Sequence, residues 1–482
     1  MDFLEHLHEN YDDEIINKII SFMSSERTHC LILNEAYYTK NELFDINIIK
    51  NHPFISNAFY FSNQKLGNDF RFKNGVFYIQ DAAAMMPVHL LNIKENDIVL
   101  DMCASPGGKT IDAAIKLRNT GMIISNELSY ERAKTLSSNV EKMGFSNVFV
   151  TNNDLSKFYN NYPNTFDKII LDAPCSGSFM FRKNELSKLD WNYNKVLANA
   201  LVQKELINIA SYMLKPGGTI VYSTCSLSPE ENEAIIEEFL NTHEDFELIK
   251  IPAEPQYFMS KRLEGTAYMM PFLFDCEGQF VTLLKKSGEL ISNNKQIIEN
   301  PCRTQLFSEF TNTKFTNSVQ KNDLIYHYNT FVKLKYFNVL RYGLQVAENK
   351  GKIQIPSFHL AHFVKNNVIE LDEIAFNKYI KGEEISINTS DGFHVVSYKN
   401  INLGFVKVKN NIGKNYYPKG LRNWFLIFFI NFCKFKDLIF NNCFWIFCNC
   451  YRIIIFKFII FKFFNHSELY KQFFFLFKFK EI

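Results

Sequence analysis

Two cysteines carry the clearest chemistry in this sequence. Cys175 ends the run DAPC after one buried strand-like stretch, and Cys225 ends the run STC after another. Because the carboxyl ends of neighbouring parallel strands meet at one edge of a sheet, we expect the two thiols to lie close together. A lone cysteine is usually a small buried apolar residue, but these two fall in polar turns. They are therefore candidates for reactive thiolates.

A helix start after Cys225 supports this interpretation. In SPEE at residues 228–231, a serine is followed three residues later by glutamate, which is typical of a capping box, and Pro229 suits the first helical position. The positive end of a helix dipole lowers a thiol pKa. A redox pair is the alternative, although the separation of the two cysteines is not thioredoxin-like.

A third polar turn is the run DMCASPGGKT at residues 101–110, between a strand-like stretch and a helical one. Glycines there allow a ligand to approach the backbone, and the helix N-terminus offers free N–H groups. The run nearly matches a phosphate-binding loop, but that motif needs glycine where Cys103 stands. A plain strand-to-helix turn is the other explanation.

Two carboxylates follow the next two predicted strands. Glu127 ends the second strand and Asp154 follows the third. A carboxylate after the second strand can bind both ribose hydroxyls of a nucleoside. Either residue alone is better explained as a solvated loop acid, but both in register with the glycine-rich turn favour an adenosine-type cofactor.

Regular alternation of strands and helices places all of these turns. It predicts a doubly wound α/β sheet whose ligand-bearing turns lie at strand carboxyl ends. The predicted strands are residues 98–100, 122–127, 148–150, 166–171, 219–223 and 279–284, and the predicted helices are 111–117, 130–143 and 194–214. Upstream, the pattern predicts helices over 14–23 and 82–91 and strands over 30–34 and 75–81.

Composition narrows the class of protein. The 482 residues carry a formal net charge of +2, so any nucleic-acid binding rests on a local patch and not on a general positive field. Ten scattered cysteines without a CxxC pair indicate neither a zinc site nor a secreted disulfide framework. The N-terminus has no signal-peptide pattern. We expect a cytoplasmic monomer without a metal or a membrane segment.

Three motifs together resemble a known family. DMCASPGGKT, DAPCSGSF and STCSLSPEENE, in this order, are similar to the hallmark motifs of RNA 5-methylcytosine methyltransferases of the NOL1/NOP2/Sun (NSUN-like) family. The runs YIQD at 78–81 and GQF at 278–280 resemble flanking motifs, so the resemblance covers about residues 27–287. It implies a Rossmann-like class I methyltransferase fold, and it favours a methyl donor over a triphosphate in the glycine-rich turn.

The resemblance also implies residue roles. Asp172 would lie between the donor and the target base, with Glu127 on the donor's ribose and Asp154 near its adenine. The nucleophile would be Cys225, and Cys175 would assist release of the product; the sequence alone does not rank the two thiols. The residues implied to line the S-adenosylmethionine site are Cys103, Ala104, Ser105, Pro106, Gly107, Gly108 and Lys109.

A second resemblance covers the C-terminal part. GFVK at 404–407 and KNYYPKGLR at 414–422 are similar to the C-terminal signature of RsmF-type bacterial enzymes, which modify small-subunit (16S) ribosomal RNA. Phe405 stands where tryptophan is usual and Tyr416 where histidine is usual; we interpret both as tolerated surface groups. Lysine interleaved with tyrosine suits RNA, through phosphate contacts and base stacking, although a solvated β-module surface is the alternative.

The predicted domain order follows from these patterns. Residues 1–75 form a small α+β RNA-binding region, 76–288 the methyltransferase domain, 289–335 a linker and 336–422 a β-rich RNA-binding module. Residues 423–482 are rich in phenylalanine interrupted by lysine, without a run long enough to span a membrane. We interpret this tail as not a selected domain but translated AT-rich sequence.

Overall fold

The computed structural model describes residues 1–62, 64–183, 188–290, 317–329, 334–351, 353–364 and 368–422. The predicted tail, 423–482, lies outside them. The helices are Phe3–Asn10, Asp13–Met23, Phe70–Lys73, Ala82–Leu91, Gly108–Leu117, Tyr130–Met143, Tyr193–Met213, Glu233–Thr242 and Glu373–Lys381. The strands are β1 (His29–Leu33), β2 (Ile48–Asn51), β3 (Ala58–Phe61), β4 (Phe77–Ile79), β5 (Ile98–Asp101), β6 (Met122–Asn126), β7 (Val148–Thr151), β8 (Phe166–Asp172), β9 (Leu214–Thr224), β10 (Phe246–Ile249), β11 (Phe258–Met259), β12 (Ala267–Met269), β13 (Gln279–Lys286), β14 (Ser318–Lys321), β15 (Leu324–His327), β16 (Val339–Tyr342), β17 (Leu344–Lys350), β18 (Ile353–Pro356), β19 (Val368–Glu370), β20 (Ile385–Ser386), β21 (Gly392–Tyr398), β22 (Ile401–Lys409) and β23 (Ile412–Asn415).

The central sheet has the order β11-β12-β13-β9-β8-β5-β6-β7-β16. Its five middle strands, β9 to β7 in that order, run parallel, and β13 and β16 are antiparallel to their neighbours. After β5 the chain moves outward through β6 and β7 and then returns to the other side of β5 as β8. The carboxyl ends of the neighbouring strands β5 and β8 therefore mark the switch point at which such sheets bind ligands.

Alternating side chains of the parallel strands are buried on both faces of this sheet. Along β5, Ile98 and Leu100 join one hydrophobic cluster, and Val99 joins the cluster on the opposite face. The helix Ala82–Leu91 contributes to the second cluster, and Tyr193–Met213 contributes to the first. The doubly wound α/β class predicted from the sequence is confirmed, and the burial fixes the strand ends that carry the polar turns.

The N-terminal region forms its own sheet, with the order β2-β3-β1-β4. Its antiparallel pairing places β1 between β3 and β4. The two helices before it, Phe3–Asn10 and Asp13–Met23, bury Leu7, Ile16 and Ile19 in the cluster that also contains the core of the central sheet. This region is thus packed directly against the domain that carries the cysteines.

The segment after residue 317 contributes to the central sheet. β16 pairs antiparallel with β7, so the outer edge of the parallel strands is covered by chain from the C-terminal part. Arg341 of β16 and His359 contact Glu141 at 3.5 and 2.9 Å. Burial opposes ionisation of Glu141, but these two partners hold its pKa well below the usual range.

Two further sheets follow, with the orders β14-β15-β17-β18 and β19-β21-β22-β23-β20. The hairpin β14–β15 lies within the range predicted as a linker, because its alternating pattern is too short to stand out among polar residues. The second sheet also packs the helix Glu373–Lys381. The β-rich character predicted for the C-terminal part therefore includes a helix.

Candidate functional site

A cavity of about 520 Å³ opens at the switch point between β5 and β8. The residues that line it come from the glycine-rich turn, from both cysteine-bearing turns and from the entrance to β1 and β13. They include Arg27, His29, Gln80, Asp81, Asp101, Cys103, Ala104, Ser105, Pro106, Gly108, Lys109, Arg132, Asp172, Lys183, Cys225, Glu277 and Gln279. The sequence motifs from YIQD at 78–81 to GQF at 278–280 thus meet at one place.

The two cysteine thiols are in contact. Cys175 Sγ and Cys225 Sγ lie 3.3 Å apart, at the ends of β8 and β9. The hydrogen bond with Cys225 and then burial raise the pKa of Cys175 well above its ordinary value, and the negative charges of Glu231 and Asp172 add to this. Cys175 therefore keeps its proton, and its S–H can donate to Cys225.

This corrects part of the sequence-based interpretation. The predicted convergence of the thiols is confirmed, but Cys175, one of the two candidate thiolates, is a protonated thiol because its pKa is raised. No α-helix begins beside it: a single 3₁₀ turn, Ser178–Met180, follows. The hydrogen bond with Cys225, burial and the neighbouring carboxylates all favour the protonated form of Cys175.

Glu231 holds the two cysteine turns together. Its carboxylate accepts from the backbone N–H of Ser176 at 2.7 Å and from the Ser176 hydroxyl at 2.6 Å, and the Ser226 hydroxyl donates to it as well. Ser176 follows one catalytic candidate and Ser226 follows the other. The side chain of Glu231 is fully buried, so these bonds fix the spacing of the thiols.

The predicted capping box is therefore wrong. Ser228 makes no side-chain cap, Pro229–Glu231 is a 3₁₀ turn, and the α-helix begins at Glu233. Glu231 has the residue type and spacing of a capping glutamate, but three donors from the cysteine turns occupy it. A long-range contact has replaced a local one, which the local motif could not reveal.

Replacing Glu231 by glutamine tests this arrangement. We expect alkylation of Cys175 by iodoacetamide to begin at lower pH, because removing the negative charge favours the thiolate. The measurement is peptide mass spectrometry across a pH series, in a Cys225→Ser background. Glu230→Gln, a half-buried neighbour paired with His6, is the matched control and should leave the profile unchanged. An identical profile for Glu231→Gln would contradict the assignment.

Asp172 lies beside the thiols, and both of its carboxylate oxygens have partners. Lys109 Nζ lies 2.8 Å from Oδ2, while Ser223 Oγ and Gln279 Nε2 donate to Oδ1 at 2.7 and 2.9 Å. Lys109 is largely buried, so this ion pair links the glycine-rich turn to the end of β8. Sequence analysis did not assign a role to Ser223 or Gln279; the short run GQF was the available signal.

The glycine-rich turn presents buried acceptors without donors. Thr110 Oγ1 donates to Asp101 Oδ2 at 2.7 Å, but Asp101 Oδ1 and Gln80 Oε1 are buried and have no partner among the described residues. Burial raises the pKa of Asp101 to about 7. A Cβ at Gly108 would lie 2.7 Å from the Gln80 side chain. Orphaned acceptors over a tight turn fit a ligand with a cationic amino group, such as that of S-adenosylmethionine.

Glu127 and Asp154, the carboxylates predicted for the ribose and the adenine, are not among the residues that line the cavity. Glu127 is buried, with Oε2 lacking a hydrogen-bond partner in the described part of the chain and Arg132 at 3.5 Å. Asp154 caps a 3₁₀ turn by accepting from Ser156. Arg132 itself lines the cavity. Of these two carboxylates, only Glu127 therefore keeps a buried acceptor available for a ligand.

The N-terminal helices support the Cys225 turn. Tyr11 donates its hydroxyl hydrogen to Leu227 O at 2.8 Å, and His6 Nε2 lies 3.0 Å from Glu230 Oε2. His6 is buried, whereas its partner is half-buried. Neither residue was singled out by sequence analysis, because only the fold brings the first helix to this turn.

The C-terminal signature has a different structural basis from the one expected. Phe405 is 1% exposed and belongs to a hydrophobic cluster, so its interpretation as a surface group is wrong. It lies on β22 at a position that faces the interior. Tyr416 is half-buried and packs edge-on against Phe393 at 5.4 Å. Phe405 therefore contributes apolar packing to the interior of this module.

The described ranges contain neither a metal-ligand cluster nor a membrane-spanning helix. No group of three or more His, Cys, Asp or Glu side chains in them could hold a metal ion. No helix in the same ranges combines the length and the apolar character needed to cross a membrane.

Comparison with known proteins gives consistent matches. A family profile described as 16S rRNA methyltransferase RsmB/F matches residues 88–285, and one described as methyltransferase RsmF PUA domain matches 366–423. A ribosomal RNA small subunit methyltransferase F from Aeromonas salmonicida is 32% identical over 387 residues, covering 74% of this chain and 81% of the relative.

Solved structures agree with the fold. A methyltransferase homolog protein from Pyrococcus horikoshii is 26% identical with a TM-score of 0.50, covering 59% of this chain and 98% of that one. NSun6 from Pyrococcus horikoshii, at 21% identity, a TM-score of 0.52 and coverage of 59% and 97%, shows the fold alone. With matches over most of both sequences and over both cysteine motifs, this chain belongs to the ribosomal RNA small subunit methyltransferase F family.

Proposed function

We propose that this protein transfers a methyl group from S-adenosylmethionine to C5 of a cytosine in small-subunit ribosomal RNA, through a covalent cysteine–cytosine adduct. The observation that carries this proposal is the contact of Cys175 and Cys225 at 3.3 Å beside Asp172. Direct methylation of a cytosine ring carbon needs activation, and a thiol at this position can supply it. The second thiol provides a group for the proton chemistry that follows.

Cys225 is the nucleophile in this proposal. C5 of cytosine is a poor nucleophile, but addition of the thiolate at C6 turns C5 into an enamine-like carbon. The bound donor supplies an electrophilic methyl group at that stage. Cys175 keeps its proton, so its S–H can donate a hydrogen bond to Cys225 Sγ.

Asp172 and Cys175 act on the adduct. Asp172 is held by Lys109, Ser223 and Gln279, and its carboxylate can accept from the exocyclic amino group of the base. After methylation, the C5 proton must leave so that the C6–S bond can break. Cys175 is in contact with that sulfur and is proposed to give its proton to Cys225 Sγ as the C6–S bond breaks. The Cys175 thiolate left behind then accepts the C5 proton, which returns Cys175 to its protonated form.

The glycine-rich turn is proposed to hold the donor. Gly107 has a φ of +112°, where a side chain is strained, and Gly108 starts the following helix. Asp101 and Gln80 offer unpaired acceptors to the amino group, and Glu127 offers one to the ribose. Cys103, Ala104, Ser105, Pro106 and Lys109 complete the proposed lining, while Asp154 is proposed for the adenine side.

The target base has to leave its stack to reach this pocket. The family assignment favours 16S ribosomal RNA as the substrate, and the N- and C-terminal regions are proposed to bind it. The C-terminal part offers Lys407 and Lys414, paired across β22 and β23.

The test is methyl transfer from labelled S-adenosylmethionine to unmodified 16S rRNA transcribed in vitro, or assembled in small subunits. Digestion to nucleosides and mass spectrometry should show 5-methylcytidine. Label in another nucleoside would overturn the C5 assignment. Transfer RNA serves as a competing substrate, and preferential label there would favour a tRNA enzyme. Binding without any transfer would favour the alternative of a non-catalytic assembly factor.

A further inference from the structure

An arginine at the rim of the cavity is anchored through only part of its guanidinium. Arg27 Nε donates to Glu277 Oε1 at 2.8 Å, and the arginine side chain is 36% exposed. Within the described ranges its two terminal nitrogens have no acceptor. Glu277 is buried, and both residues line the cavity. The bond to Glu277 thus fixes the direction of the Arg27 side chain and leaves the N–H groups of its two terminal nitrogens available.

A second arginine already balances the charge of Glu277. Arg182 Nε lies 3.1 Å from Glu277 Oε2, with both side chains buried. The terminal nitrogens of Arg182 donate to Ser25 Oγ, Glu26 O and Cys276 O. Arg182 is therefore structural, and the positive charge of Arg27 remains uncompensated within this cluster.

The anchoring elements belong to the side of the cavity that carries the base chemistry. Glu277 lies two residues before Gln279, which bonds Asp172, and Arg182 follows the turn after Cys175. Neither belongs to the glycine-rich turn. An anion held by Arg27 would therefore lie toward Gln279 and Asp172, outside the glycine-rich turn.

The geometry points to Arg27 as the binding group for a phosphodiester of the RNA backbone adjacent to the target cytidine. A planar guanidinium with two free nitrogens matches a phosphate in a bidentate fashion. The fixed orientation lowers the entropy lost on binding. This inference rests on the proposed function for the identity of the RNA, and it assigns the position at which the strand is held while the base is extruded.

The test compares Arg27→Gln with Arg118→Gln in the full chain. Arg118 also pairs with a glutamate, Glu95, but is exposed and lies outside the cavity lining. Affinity for unmodified 16S rRNA is measured by filter binding between 50 and 200 mM KCl, and affinity for S-adenosylmethionine by calorimetry. We expect Arg27→Gln to weaken RNA binding about tenfold and to reduce the log–log salt slope by about 0.7–1. Arg118→Gln should change neither, and donor affinity should stay unchanged in both.

Four further results decide the outcome. Arg27→Lys keeps the charge without the planar fork, so the salt slope should match the wild type while the RNA affinity is intermediate. Unchanged RNA affinity in Arg27→Gln would overturn the inference, as would a loss of donor affinity, which would place the donor's carboxylate on Arg27. The RNA assay measures binding and not catalysis. If the wild type makes no 5-methylcytidine but Arg27→Gln still reduces the salt slope, only the proposed function is refuted.

Discussion

Replacing Cys225 by serine is expected to reduce methyl transfer to RNA by at least about 10³-fold. Serine keeps the size and the hydrogen-bonding capacity of the side chain, but a hydroxyl ionises far less readily than a thiol and adds poorly to C6. Folding and donor binding should be retained, because Cys225 is only partly buried and lies beside the proposed donor site, not in the glycine-rich turn. The measurement is single-turnover label incorporation.

The matched control is Cys276→Ser. Cys276 is a buried cysteine whose Sγ donates to Met269 O, and a serine can keep that bond. Its transfer rate should stay within a few-fold of the wild type. Equal incorporation by Cys225→Ser and wild type would remove Cys225 from the role of nucleophile.

Replacing Cys175 by alanine is expected to trap the protein on its RNA. In the proposed cycle Cys225 can still add and the methyl group can still be transferred, but elimination loses its assisting group. Turnover should fall by about 10²–10⁴-fold, while up to one methyl group per enzyme is still incorporated. The adduct should appear as a denaturation-resistant, nuclease-sensitive band on a protein gel.

The double variant Cys175→Ala with Cys225→Ser provides the control, since trapping needs the nucleophile. It should give no retained band. Rapid multiple turnover by Cys175→Ala without an adduct would instead show that another group removes the C5 proton. Asp172 is the alternative base in contact with this part of the cavity.

Which parts of the site were predictable follows from the range of the interactions. The meeting of Cys175 and Cys225 could be predicted, because parallel pairing of β8 with β9 brings their carboxyl ends together. The role of Glu231 could not, since a local capping motif and a long-range clamp use the same residue type. Its partners, Ser176 and Ser226, come next to it only through the fold.

The same limit applies to exposure and charge. Phe405 occupies a motif in a lysine-rich stretch, yet it is buried because β22 is covered on both faces there, with Leu403, Gly404, Phe405 and Val406 all buried. The hydrogen bond with Cys225 and burial raise the pKa of Cys175, and a sequence motif carries no information on either effect. The ion cluster of Arg27, Arg182 and Glu277 joins residues far apart in the chain, so no motif spacing could have indicated it.

The pairing of β16 with β7 has a consequence for shortened forms of the protein. Ending the chain near residue 290, where the methyltransferase motifs stop, would leave β7 with an unpaired edge. It would also strip Glu141 of Arg341 and His359, its two cationic neighbours. A fragment that retains every proposed catalytic residue is thus expected to self-associate through strand addition, whereas an expression boundary placed after Arg422 keeps that edge covered.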